Sequence, residues 1–217
     1  MAHHHNEYSG LKPPRAPLGV RHRDDMTSPA SLNMIMPLPR GTYRIGSGFG
    51  MRHLDGHSHF HRGQDIGVPV GTPILAPQDG VISDVLAHAG DAGNFLKMRG
   101  QTHGFGFMHL ASFAPGIRNG ARVRQGQIIG YVGMTGYTKG PHLHYEVYSL
   151  ANGQHLDPRP IALTNARTVT LADARLITQG QTTTAAIFST STTAQINPQT
   201  TVTRTSTVWQ MHRHANA

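Results

Sequence analysis

Between residues 41 and 163 the apolar residues come in runs of strand length, and each run is closed by Gly or Pro before a helix could complete three turns. The runs fall at 70–76, 80–87, 94–98, 105–110, 122–132 and 142–150. Punctuation at that interval admits short antiparallel strands and excludes a helical bundle, which needs long stretches of good helix formers. Composition agrees: 25 Gly and 14 Pro stand in 217 residues, and only 14% of the chain is charged. The expected fold is mainly β, a small antiparallel sheet flanked by a shorter sheet in a sandwich-like domain with an open groove.

Outside that stretch the text changes. Residues 1–40 are Pro-rich with scattered Arg and no periodicity, which predicts an extended arm. Residues 164–217 are Thr-rich; 167–177 and 200–209 are β-prone yet carry too few large apolar residues for a core of their own. The expected organisation is therefore an N-terminal arm over 1–40, one domain over 41–163 and a C-terminal arm over 164–217, with both arms ordering on a partner. No apolar run is long enough for a membrane-spanning helix, which predicts no membrane insertion. The first ten residues lack a basic stretch followed by an apolar one, which predicts a chain not exported by an ordinary signal peptide. Nineteen Lys and Arg against eleven Asp and Glu leave a net charge of +8, favouring anionic partners, whether nucleic acid, teichoic acid or an anionic cell wall. Gly48 and Gly50 around Phe49 lack the strand, turn and helix of a nucleotide loop.

The chain has no Cys and 16 His. Thiol catalysis, disulfides and Cys-held metals are thereby excluded, so any metal rests on imidazoles and carboxylates. His61 and Asp65 stand four residues apart in His61-Arg62-Gly63-Gln64-Asp65. Downstream, His142-Leu143-His144 reads as strand, and alternate side chains of a strand share a face, so both imidazoles converge on one side. Together these supply three ligands for a zinc with an open fourth position and leave one His beside it. His57 and His59 continue an alternating stripe into His61 and are rivals for its place.

These residues resemble the lysostaphin-type zinc endopeptidases, which cut the peptide cross-links of bacterial peptidoglycan. The ordered matches run from Ser47-Gly48-Phe49-Gly50-Met51-Arg52 through His61–Ile66, Pro69–Ile74, Ala89-Gly90, Gly93-Asn94, Met108-His109-Leu110 and Gly126–Gly130. They close with Gly133-Met134-Thr135-Gly136, Gly140-Pro141-His142-Leu143-His144-Tyr145-Glu146 and Asp157-Pro158, so that about residues 45–160 are covered. The resemblance implies the family's duplicated hybrid-motif fold and one Zn2+ per chain held by His61, Asp65 and His144. His142 and His109 become the unligated catalytic pair, one moving protons and the other positioning and stabilising charge. It implies peptidoglycan stem peptides and cross-bridges, not nucleic acid, as substrate.

Three further expectations complete this reading. Phe107 stands where family members usually carry a Tyr, so any role of that hydroxyl is absent. Glu146, on the face of the two strand His, is either a partner that orients an imidazole or a solvated acid; His22, His53, His88, His103 and His155 are expected at the surface, and His212 and His214 as solvated charges. Groove loops are expected at 53–61, 89–94 and 134–139. A lytic domain between two low-complexity arms fits a phage or phage-like tail assembly reaching the wall as part of a virion, with protein partners along both arms. The alternatives are a secreted or periplasmic wall-remodelling hydrolase that has lost its leader, and a non-catalytic wall-binding or structural module of the same fold.

Overall fold

In the computed structural model the described residues are 33–54, 56–164 and 166–191. The strands in chain order are β1 (Arg44–Ile45), β2 (Gly50–Leu54), β3 (His57–His61), β4 (Gln64–Gly67), β5 (Pro73–Leu75) and β6 (Gly80–Leu86). They continue as β7 (Asn94–Arg99), β8 (His103–Phe113), β9 (Arg122–Val123), β10 (Ile128–Val132), β11 (His142–Ser149) and β12 (His155–Leu156). Ten of them form one sheet with the path β1-β4-β11-β8-β7-β6-β9; β10 bridges β5 and β8, and β12 pairs β11. Every named pairing is antiparallel, and β2 and β3 make a separate two-stranded sheet. The fold is mainly β, as its punctuation demands.

Two strand expectations are redrawn. The run at 122–132 divides into β9 and β10 with Gly126 (φ 82) in the turn between them. Residues 53–61, expected as a groove loop, form most of the β2–β3 hairpin, paired from Gly50↔His61 to Leu54↔His57 around a turn containing Gly56 (φ 79). Counting His as a loop residue hides the alternation that makes this a hairpin: Arg52 and His59 share one face, Met51 and Phe60 the other.

The main core packs Ile66, Ile74, Ile82, Leu96, Phe105, Phe107, Leu143 and Tyr145 on one side of the large sheet. Alternation sends the neighbour of Ile74, and that of Ile129 in the same core, the other way. Leu75 and Ile128 join a second cluster with Ile35, Ala114, Val169, Ala174 and Ile177.

That second cluster moves the edges of the packed body away from 41 and 163. Met34, Ile35 and Leu38 are fully buried, and backbone bonds run from Met36 N to Arg167 O at 2.9 Å and from Arg40 N to Val169 O at 2.7 Å. Residues 33–40 and 166–191 are thus part of the same body, zipped to one another across its second core. The β-prone reading of 167–177 also gives way, because a helix, α1, spans Leu171–Thr178. Thr170 caps it by accepting from Asp173 N at 3.1 Å, and Ala174 and Ile177, three residues apart, bury one face. A capped amphipathic turn with a surface to cover outweighs the β preference of Thr and Val. A second helix, α2 (Thr184–Ser191), follows, with Ile187 and Phe188 against the same cluster. The β-prone stretch at 200–209, and His3, His4, His5, His22, His212 and His214, lie outside the described residues. Among the described residues no helix is long and apolar enough to cross a membrane.

Candidate metal centre and active site

The register of β4 against β11 places Asp65 directly opposite His144 and Gly67 opposite His142. Cross-strand partners share a face, so three of the five expected site residues converge through regular pairing alone. His61, the last residue of β3, swings in from the hairpin. Its Nε2 lies 2.9 Å from His144 Nδ1 and 3.2 Å from Asp65 Oδ1, and His144 Nδ1 lies 2.9 Å from the same Oδ1. Among the described residues this is the one group of three or more His, Asp or Glu with ligand atoms this close together. His59 instead sits 2.6 Å from Arg52 Nε, and His57 is exposed, so neither rival replaces His61.

The far side of each ring decides what faces inward. His61 Nδ1–H donates to Gly48 O at 2.8 Å, and His144 Nε2–H donates to the Glu146 carboxylate at 3.3 Å. Each neutral imidazole then turns a lone pair toward the carboxylate oxygen of Asp65. Three lone pairs at 2.9–3.2 Å repel one another unless a proton or a metal ion lies among them. A tetrahedral zinc with bonds of about 2.0–2.2 Å holds its ligand atoms about 3.3–3.6 Å apart, so the donor set fits once the triangle opens by a few tenths of an ångström. With a proton in that role, burial works against His144 but the bonds to Asp65 and Glu146 outweigh it, raising its pKa to about 9. Burial likewise pushes Asp65 up, yet bonds from His144 and His61 hold its carboxyl far below the usual range. Glu146 is lowered to about 2 by His144 and His155 in spite of burial.

Close packing enforces the arrangement. A Cβ on Gly63 would stand 2.5 Å from Tyr145 O and 2.9 Å from His144 Nε2, so only glycine fits between His61 and Asp65.

His109 arrives by another route. By strand parity it belongs with Phe105 and Phe107 on the core side. Its backbone is left-handed, φ 63, and β8 slips register there against both β7 and β10. The irregularity turns the ring into the site, 4.8 Å from His142 and 6.1 Å from His144 between centroids. Its Nδ1–H donates to Thr135 O at 2.9 Å, and Thr135 Oγ1 ties Leu110 O and Asn94 N together at 2.8 Å each. Burial is the largest cause lowering the pKa of His109 to about 4, helped by the nearby imidazoles. His142 Nδ1–H donates to Gly140 O at 2.9 Å, leaving Nε2 toward the centre, 3.6 Å from Asp65 Oδ1. Phe107 is buried with its ring 5.5 Å from that of Tyr145 and takes no part in the site.

Residues 59–158 match the sequence profile of peptidase family M23. The chain is 32% identical to the catalytic domain of the antimicrobial peptidase lysostaphin from Staphylococcus simulans over 90% of that domain and 54% of this chain, with a TM-score of 0.48. The chain belongs to peptidase family M23. The peptidoglycan DD-endopeptidase ShyC of Vibrio cholerae is 37% identical over 150 residues, 67% of this chain and 34% of that protein. A zinc-containing peptidase from Vibrio cholerae, solved by crystallography, is 30% identical over 57% of this chain and 39% of that one, with a TM-score of 0.50. The chain spans about a quarter to a third of the length of the curated relatives it matches. The family match lies within the 45–160 stretch that carries the resemblance.

Two further contacts of this site carry no motif in the sequence. Arg52 Nη1 donates to Asp65 Oδ2 at 3.1 Å, leaving Oδ1 for the centre. His155, expected at the surface, donates to Glu146 at 3.2 Å. Asn152-Gly153 after β11 is a hairpin signal that would have folded His155 back beside that strand.

Proposed function

We propose that this chain is a zinc-dependent endopeptidase that hydrolyses the peptide cross-links of bacterial peptidoglycan. The observation that carries the reading is the three-lone-pair triangle of His61, Asp65 and His144 with two further imidazoles, His142 and His109, beside it. Zinc bound there supplies a lowered pKa for water and polarisation of the scissile carbonyl. The bond to Gly140 O occupies Nδ1 of His142, so in the neutral ring Nε2 turns its lone pair to the centre, where it accepts the proton of the attacking water and returns it to the leaving amine. His109 is neutral well below neutral pH and offers Nε2 as an acceptor, so it orients the nucleophile rather than donating to the developing oxyanion. Similarity to a DD-endopeptidase and to lysostaphin supports a cell-wall peptide as substrate.

Purified peptidoglycans of different cross-link chemistry, digested with the full chain and analysed by mass for new amino ends, test the reading. Release of new ends, its loss on chelation and its return with zinc are expected; intact cross-links in every wall with zinc present refute it.

Carriage by a phage or phage-like tail assembly is the narrower part of the proposal. Its support is compositional: the Pro- and Arg-rich start and the Thr-rich end. A bacterial wall-remodelling hydrolase is the second reading, favoured by the likeness to ShyC. Limited proteolysis separates them: a chain that resists cleavage at both ends and sediments as a compact monomer has no free arms for an assembly.

A further inference from the structure

Glu146 is a carboxylate at 4% exposure inside a β-sheet, a place where an unpaired charge is not tolerated. Each of its oxygens receives one imidazole: Oε1 takes His144 Nε2–H at 3.3 Å and Oε2 takes His155 Nε2–H at 3.2 Å. His144 and Glu146 are two apart on β11 and so share its inward face, while β12 folds back to bring His155 opposite Tyr148. A separate feature keeps the space open. Gly106 lies across from Glu146 on β8, and a Cβ there would stand 2.9 Å from Glu146 Oε2.

We propose that Glu146, backed by His155, is a positioning residue that sets the metal affinity of the site by holding His144 in the tautomer whose Nδ1 lone pair faces Asp65 and His61. The inference rests on the metal reading above and adds to it which residues outside the three ligands determine its strength. Without an acceptor at Nε2, the proton of neutral His144 is free to move to Nδ1 and face the centre, where it blocks a ligand position. His155 keeps the carboxylate from rotating away from His144. Gly106 is small because the carboxylate occupies the volume that a side chain would need.

The test uses the full chain prepared metal-free and titrated with zinc alone against a competing chelator. Glu146→Leu, similar in volume and unable to accept, is expected to weaken zinc binding by about 10–100-fold. Glu146→Gln, whose amide oxygen still accepts from His144, should recover most of that loss. His155→Ala, at a partly exposed side chain, should cost a few-fold. Gly106→Ala, which displaces the carboxylate without removing it, should fall between the two. If Glu146→Leu folds poorly, His155→Ala and Gly106→Ala carry the test. Nitrogen NMR of the zinc-loaded chain should report His144 bound through Nδ1 with the hydrogen on Nε2, a signature that mere packing would not produce. Unchanged affinity in Glu146→Leu, or in both His155→Ala and Gly106→Ala, overturns the inference, as does a Gln variant no better than Leu. A parent chain that binds no zinc, or loses none on His144→Ala, is a different result and removes the metal reading itself.

Discussion

The β4–β11 pair and the middle of β8 deliver side chains to the same site by opposite means. Between β4 and β11 the register is unbroken, and Asp65, His142 and His144 arrive because alternation and antiparallel pairing put them there. On β8 the register breaks twice, and His109 arrives only because its backbone is left-handed. Regular pairing places a residue at the cost of nothing special in the backbone. A bulge places one against its parity and stores strain of roughly 1–3 kcal/mol. Asp65 and His144, two of the three candidate ligands, thus sit on the regular pair, while the placement of His109 depends on the irregular backbone of β8 and on Thr135.

The largest test of that contrast lies in the regular half. His144→Ala and Asp65→Ala should abolish hydrolysis and reduce bound zinc to a small fraction of one per chain, measured by metal analysis after dialysis. His142→Ala should abolish hydrolysis equally while zinc stays near one per chain; loss of metal there would mean that the two strand imidazoles have their roles exchanged.

The irregular half should respond differently. His109→Ala is expected to lower the hydrolysis rate by about 10²–10⁴-fold with zinc content unchanged. His109→Gly should be as inactive yet more stable than His109→Ala, by roughly 1 kcal/mol, because glycine occupies φ 63 without strain. Equal urea midpoints for the two variants would show that the left-handed backbone carries no strain.

A pH series sharpens the same point. Because the folded pKa of His109 is depressed to about 4 against about 6.5 unfolded, the unfolded chain binds more protons between those values. The His109 contribution to stability is therefore complete above pH 6.5 and is lost as the pH falls toward 4, by at most about 3 kcal/mol. His109→Asn should flatten the stability profile in that window; an unchanged slope would place the acid sensitivity elsewhere.

The smallest effect is expected at Thr135. Thr135→Val keeps the carbonyl that receives His109 but removes the hydroxyl tying Leu110 and Asn94. Activity should drop by about tenfold, in line with a slight misplacement of a catalytic group, without change in zinc.

Much of the metal site was legible because its signals are local. His142 and His144 share a face by parity, and the absence of Cys leaves imidazole and carboxylate as the donors. The choice of His61 over His57 and His59 was not local: it depends on the turn after β3 and on Gly63 admitting the His144 ring. His155 was passed over because a solitary His carries no motif, although the Asn-Gly turn before it pointed back to β11. The packing of 33–40 is hidden in the sequence for a related reason. Met34, Ile35 and Leu38 sit among prolines and show no period, so their burial becomes visible only once β5 and β10 present the surface that they cover.

The sequence by itself determined the strand-length runs, the donor chemistry, the inward face of β11 and the family. These follow from side-chain period, residue type and motif order, which are properties of neighbours in the chain. Tertiary structure alone decided that His109 leaves its parity, that Arg52 binds the outer oxygen of Asp65, that Glu146 is a buried double acceptor, and that 33–40 and 166–191 share a core. Each of these depends on which backbone lies alongside, through a bulge, a cross-strand gap or a buried face, and such partners stand from 9 to 134 residues apart in the chain.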